Sequence, residues 1–510
     1  MSGAALVNLE RLTVIEDPIA VLDFLEQKAA NRFAGGAVGL HGFVLRTTVR
    51  DCNLAGGGGV VSRASLNSNP DDYLVGADLT IEHNLVLATR FGVALGTQQL
   101  PGTTALGDRT AIRSNSIFGC VDAGIEVAAK VVAGDVLVED NTIGVFGRGI
   151  LIAADSASVD GNRVASVAND GKASGLSIVR GDSDIVSDVR FTANLVDNFG
   201  AAGVEINAFV TRATVADNTV AGCGQGIVMS LESRGQDVRI ANNEVIDTGT
   251  GRFDGSPVFG ILLVATLGGQ VLDNTVRRVA VKDPKAQWRA GIQAVACGSV
   301  RVAGNTVSDI GPVDFEGTSV GIGSTTGFET LDVVDNTVRP GEEGSSGRWF
   351  ALLIGGRDDP WSASVAAVGN AIFWFGGGWV THLHAIERPG AAAVRGNHLD
   401  AIGAVSTAVI LINGSCTFAD NWCRQVLVTN KKPVVTIGAK GEELTAIAAA
   451  TNQVRQPPRD KSVAIDAWVQ GASPPNPLAA SVVGNVTEGE IRLNSGPLPA
   501  PWLTINVRLS

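Results

Sequence analysis

Two of the chain's five histidines stand one residue apart, His382 and His384, in the segment GWVTHLHAIE (378–387), and Glu387 follows. In an extended strand both imidazoles point to the same side. The preceding polar concentration is LLIGGRDDPW (352–361), which holds Arg357, Asp358, Asp359 and Trp361. Counted from the strand starts, Arg357 and His384 fall at matching positions. Paired carboxylates beside imidazole can do acid–base work, which makes Asp358, Asp359 and His384 the candidate catalytic set. His382 and His384 are the candidate metal ligands. No third ligand is identifiable, so neither a metal nor another cofactor is expected. Asp-Asp-Pro is also an ordinary turn, and a register error of one residue would turn both histidines inward.

A second set suits binding better than catalysis. Arg252, Asp254, Lys285, Trp288, Arg289, Glu316, Arg348 and Trp349, with Arg357 and Trp361, mix charge with indole in a 110-residue span, 252 to 361. Such a mixture suits sugar hydroxyls and sugar faces. Most of these residues lie in four long connections: Asn243 to Gly260, Asn274 to Gly291, Asn305 to Gly321 and Asn336 to Ala351. Elsewhere the same step is short, as in Asn141 to Gly149 or Asn194 to Gly203. Inserts at one phase of a repeat lie side by side on a rigid scaffold, where function concentrates, although solvated loops also tolerate insertion.

The repeat itself is read from VEDNTIGVFGRGILI, residues 138–152. It gives a short strand, a turn at Asn141, another strand, a Gly-marked turn and a third strand. A turn Asn recurs at 53, 84, 115, 141, 162, 194, 218, 243, 274, 305, 336, 370, 397, 421, 452 and 485. The shortest interval is the 21 residues from Asn141 to Asn162, what three short strands and three tight turns require. Asn tolerates the left-handed conformation that a sharp turn needs, and its amide can bond to the coils on either side. Alternation puts Ile150 and Ile152 inward. It puts Ala94, Glu126, Leu151, Ser177, Glu205, Val228, Leu262, Gln293, Gly323 and Leu353 outward in one row. Before the coils, LVNLERLTVIE alternates like a strand. DPIAVLDFLEQKAANRF reads as a helix capped by Asp17, with Pro18 at its first turn and Ile19, Leu22, Leu25, Ala29 and Phe33 as its apolar stripe.

These D/G-N-T/x-V turns, around Asn141, Asn218, Asn274, Asn305 and Asn336, resemble those of the right-handed parallel β-helix, the pectate-lyase-like superfamily. The resemblance covers residues 38–495. It implies an all-β, single-stranded right-handed solenoid of about sixteen coils. Residues 1–37 would supply a strand and a helical cap, and 496–510 a C-terminal cap or tail. It does not fix the activity, since lyases, hydrolases, tailspikes and adhesins share the architecture. In the enzymes of that superfamily the outward row carries the acids and bases. Here the row is mostly apolar or small, and Glu126 and Glu205 stand three coils apart, roughly 14 Å, too far for paired glycoside hydrolysis. The Asp–Lys/Arg cluster of calcium-dependent lyases, Gly-His-Gly and Asp-Pro-His-Asp are absent from it.

Composition narrows the rest. Gly is abundant at 63 residues, aromatics are 5% and the net charge is −12, which suits a narrow β core and disfavours a nucleic-acid backbone. No run of eighteen apolar residues suggests a membrane span, and no leader pattern opens the chain, so a reducing compartment or leaderless export is expected. The six cysteines have irregular spacing and are expected as free, buried thiols. The expected function is a rigid β-helix surface or assembly protein that binds a polysaccharide or protein partner through its loop-lined side. A homo-oligomer formed through the apolar sheet face is expected as well. The alternative is a carbohydrate-active enzyme, lyase or hydrolase, with its site on the same face.

Overall fold

The computed structural model describes residues 2–15, 36–62, 73–96, 103–131, 134–168, 173–180, 185–250, 255–281, 283, 285–311, 317–325, 327–339, 348–355, 364–373, 379–384, 390–402, 406–412, 414–426, 432–440, 446–456, 462–470, 480–493, 496–497 and 506–508. Among them are strands and turns and no α-helix. The helix expected over 17–33 lies outside the described residues. The chain forms two compact units, Met1–Val245 and Ile246–Ser510.

In the first unit, strands Thr142–Val145, Arg148–Ala154 and Ser156–Asp160 each pair in parallel with their counterparts one coil on, Arg163–Ser166, Leu176–Val179 and Ile185–Thr192. The amino terminus already belongs to this stack. Ser2–Glu10 pairs in parallel with Gly36–Arg50, and Thr13–Ile15 with Asn53–Ser62. The second unit repeats the scheme: Thr306–Ile310, Thr318–Ser324 and Phe328–Val334 pair with Thr337–Val338, Arg348–Gly355 and Ser364–Val368. Inward residues such as Ile150, Ile152, Val159 and Val164 are almost fully buried, and each fully buried aliphatic side chain stabilises by roughly 1.5–3 kcal/mol.

The turn asparagines form one buried ladder in each unit. Asn141 accepts at Oδ1 from the backbone N–H and the amide of Asn115 (3.0 and 2.9 Å), and its own amide donates to Ile112 O and Asn162 Oδ1. The same bonds link Asn84, Asn115, Asn141, Asn162, Asn194, Asn218 and Asn243 in the first unit. In the second they link Asn274, Asn305, Asn336, Asn370, Asn397, Asn421, Asn452 and Asn485 and end at Asn506.

Two details correct the sequence reading. Asn53 is exposed and outside the ladder; its place is taken by the buried Cys52, whose N–H donates to Asn84 Oδ1. The left-handed residue is the one before each asparagine, not the asparagine itself: Asp51, Asp140, Gly161, Asp217, Asp273 and Asp335 all have φ between 52° and 66°. The division of labour is physical. The preceding residue, most often Asp or Gly but also His83, Ser114, Ala193, Asn242 and Thr451, takes the strained conformation, leaving the next amide free to satisfy buried backbone.

Where a glycine opens a long strand, as at Gly149 and Gly291, it is a packing requirement. A Cβ on Gly149 would overlap Val164, two residues past its ladder asparagine, and the carbonyl of Gly175 in the next coil. Gly291 meets Val307 and the Gly321 carbonyl in the same way.

Candidate functional site

The outward row lies where alternation put it. In the first unit Ala94, Glu126, Leu151, Ser177, Glu205 and Val228 are successive register partners. In the second, Leu262, Gln293, Gly323 and Leu353 are successive register partners as well. Far from being open, most of the row is buried: Ala94 and Leu151 are 0% exposed, Gln293 1% and Glu126 8%. Leu151 packs with Ala128, Ala153 and Val179. In the second unit Ala290, Val320 and Phe350 cluster beside Phe259, Trp288 and Leu353. Glu205 accepts a 2.7 Å hydrogen bond from Ser174 Oγ. Val228 and Leu353 are its half-buried apolar members.

The long connections are partly strand. After the asparagines the chain stays extended over Glu244–Thr248, Thr275–Val279 and Thr306–Ile310, bent by left-handed residues Asp247, Arg278 and Asp309. Arg278 grips Asp247 through both Nε and Nη2, the former at 2.6 Å. The next strands also begin early, at Trp288 and Arg348. Arg289 and Trp349, expected on solvent-facing inserts, are consequently 0% and 1% exposed; they align with Val258 and Ser319 in one register row. Arg289 Nη2 donates to the Asp283 carbonyl at 3.0 Å, and burial pulls its guanidinium down to about 10 against the upward pull of Asp283. Asp283 Oδ1 in turn accepts from the N–H groups of Lys285 and Ala286. This buried pair supports the wall and does not offer groups to solvent. Lys285 is exposed and Trp288 half-buried at its edge.

Arg252, Asp254, Glu316, Arg357, Asp358, Asp359 and Trp361 lie outside the described residues. Arg348, His382 and His384 are placed by backbone alone. His384 pairs with Gly355, which corrects the expected match to Arg357 by two residues. His382 pairs with Leu353 and so extends the outward row. Beyond it the row runs Val409, Thr436, Asp466 and Arg492, and a parallel row carries Leu411, Gly438 and Trp468. Sequence reading stopped at Leu353 and missed Asp466, Trp468 and Arg492. The alternation that found Leu151, carried through AIDAWVQ (464–470), would have reached the first two.

The three parallel ladders, the stacked asparagines and the Gly-opened long strands occur together in each unit. Residues 148–338 match the family model described as a right handed beta helix region. No curated protein and no solved structure matches the chain. The β-helix match carries fold and no activity. Among the described residues no three His, Cys, Asp or Glu side chains come together as metal ligands, and no helix is long and apolar enough to cross a membrane. All six cysteines of the β-helix chain are free and buried. Burial pushes the Cys120, Cys223 and Cys416 thiols up to about 12, which keeps them protonated and unreactive at neutral pH.

Proposed function

We propose that this β-helix is a rigid surface or assembly component that binds a polysaccharide or protein partner through the side bordered by its long connections. The observation that carries this reading is the state of the outward row. Ala94, Leu151 and Leu262 are buried, Glu205 is hydrogen-bonded, and Asp283 and Arg289 are sequestered beneath the edge. Acid–base catalysis needs a group near solvent whose protons can move to substrate, and Glu205, Asp283 and Arg289 on this side are spent on structure. What it offers outward at the edge is Lys285 and Trp288. We also read the fold as about sixteen coils, with residues 17–33 as a helix over the first, because an open coil end leaves unpaired backbone groups.

A Lys285→Ala/Trp288→Ala double variant tests the choice of side. Binding to a retained polysaccharide or partner is expected to weaken by about tenfold, the loss of one indole contact and one charged contact. Unchanged affinity, with an unchanged melting temperature, would place the binding surface elsewhere. The enzyme alternative has its own readout. Product release lost in an Asp358→Ala/Asp359→Ala variant would restore it.

A further inference from the structure

The outward face of the second unit changes character toward its carboxyl-terminal end. Trp468 stands opposite Gly438 in the preceding coil, and a Cβ on Gly438 would overlap the indole ring. The ring therefore lies across the sheet, over the one residue type that leaves room for it, and remains half-buried. Two residues earlier on the same side, Asp466 keeps its Oδ1 out of solvent with no hydrogen-bond partner. Its register partner is Arg492, whose Nε and Nη2 are held by Glu490 Oε2 at 3.3 and 3.0 Å.

We propose that Trp468, Asp466 and Arg492 form a subsite for one uncharged pyranose ring of a polysaccharide. An indole laid flat on a sheet matches the C–H face of a sugar. The half-buried Asp466 carboxylate, beside a guanidinium fixed by a second carboxylate, supplies an acceptor and a donor for its hydroxyls. Asp466 and Glu490 outnumber Arg492, so a uronate ring meets net negative charge and is disfavoured. Desolvation raises the Asp466 carboxyl above its ordinary value despite Arg492, consistent with an acceptor that gains from a sugar hydroxyl. The subsite rests on the polysaccharide reading above and names its ligand class.

Calorimetric titration of the full chain with the hexasaccharides of glucose, mannose, xylose and N-acetylglucosamine, all β-1,4-linked, and with hexagalacturonate tests it. At least one uncharged probe is expected to bind and hexagalacturonate to bind none or far less. Trp468→Ala should weaken the bound probe at least ~tenfold and Asp466→Asn by roughly fivefold, while Trp468→Phe, which keeps a ring there, should retain most of the affinity. A thermal melt of each variant separates lost binding from lost folding. An uncharged probe bound equally well by folded Trp468→Ala and Asp466→Asn overturns the subsite and leaves polysaccharide binding elsewhere standing. Binding of no probe overturns the subsite and the polysaccharide reading together. A preference for hexagalacturonate overturns the charge argument and with it the ligand class.

Discussion

Asn141 and Asn53 look alike in the sequence and differ completely in what they hold. Asn141 is fully buried and serves two acceptors and two donors in the neighbouring coils. Replacing it by Ala strands several of those groups, at about 1–3 kcal/mol each. The Asn141→Ala chain is expected to lose roughly 3–5 kcal/mol in denaturant unfolding, and Asn53→Ala less than ~0.5 kcal/mol. Equal losses would contradict the ladder assignment. The difference was legible in one place. Asp51 takes the left-handed conformation, so the ladder position is the next residue, Cys52, and the asparagine after it is one step too late. Asp466 is the other telling residue. Its folded value lies above the unfolded one, so the cost of ionisation sets in as pH rises through the ordinary carboxyl value of about 3.9, is complete above the folded value, and fades below the ordinary value, where both states become protonated. Asp466→Asn should therefore raise the melting temperature by ~1–2 °C at pH 7, and the gain should vanish near pH 3.5. A gain that grows on acidification would reverse the sign of this argument.

At the scale of the strand, each opening glycine and the aliphatic residue two past the asparagine are a matched pair. Gly149→Ala is expected to destabilise by at least ~3 kcal/mol, since the added methyl meets both Val164 and backbone at Gly175. Val164→Ala in the same chain should recover only part of that, because the Gly175 carbonyl stays in place. Gly39→Ala, with nothing within 4 Å of the added methyl, is the control and should fold with nearly native stability; chemical denaturation of the three chains decides it. Strand phase and the outward row were readable from the alternation of 150–152 alone. The edges of the long connections were not. Asp247, Arg278 and Asp309 bend their strands in the left-handed conformation without the Gly or Asn that usually announces it, so residues that remain in sheet register read as loop. The same early strand starts place Arg289 and Trp349 in sheet register and bury them.

For the whole chain, a period of asparagines identifies the β-helix, and the family match covers residues 148–338. Which face a side chain occupies follows from alternation; what lies over that face does not. That is why Leu151 was placed correctly and its burial was not foreseen. With a net charge of −12, the molecule repels polyanions over a Debye length of about 8 Å in physiological salt, so its polymer partners should be uncharged. The central claim is that this face binds without catalysing. One experiment addresses it most directly: incubating the full chain with a panel of insoluble and soluble polysaccharides, and following retention on the polymer and product release in the same samples. Saturable retention on an uncharged polymer, with no new reducing ends or unsaturated products over many hours, is the predicted result. Time-dependent product release that scales with protein concentration would contradict it and make this β-helix an enzyme.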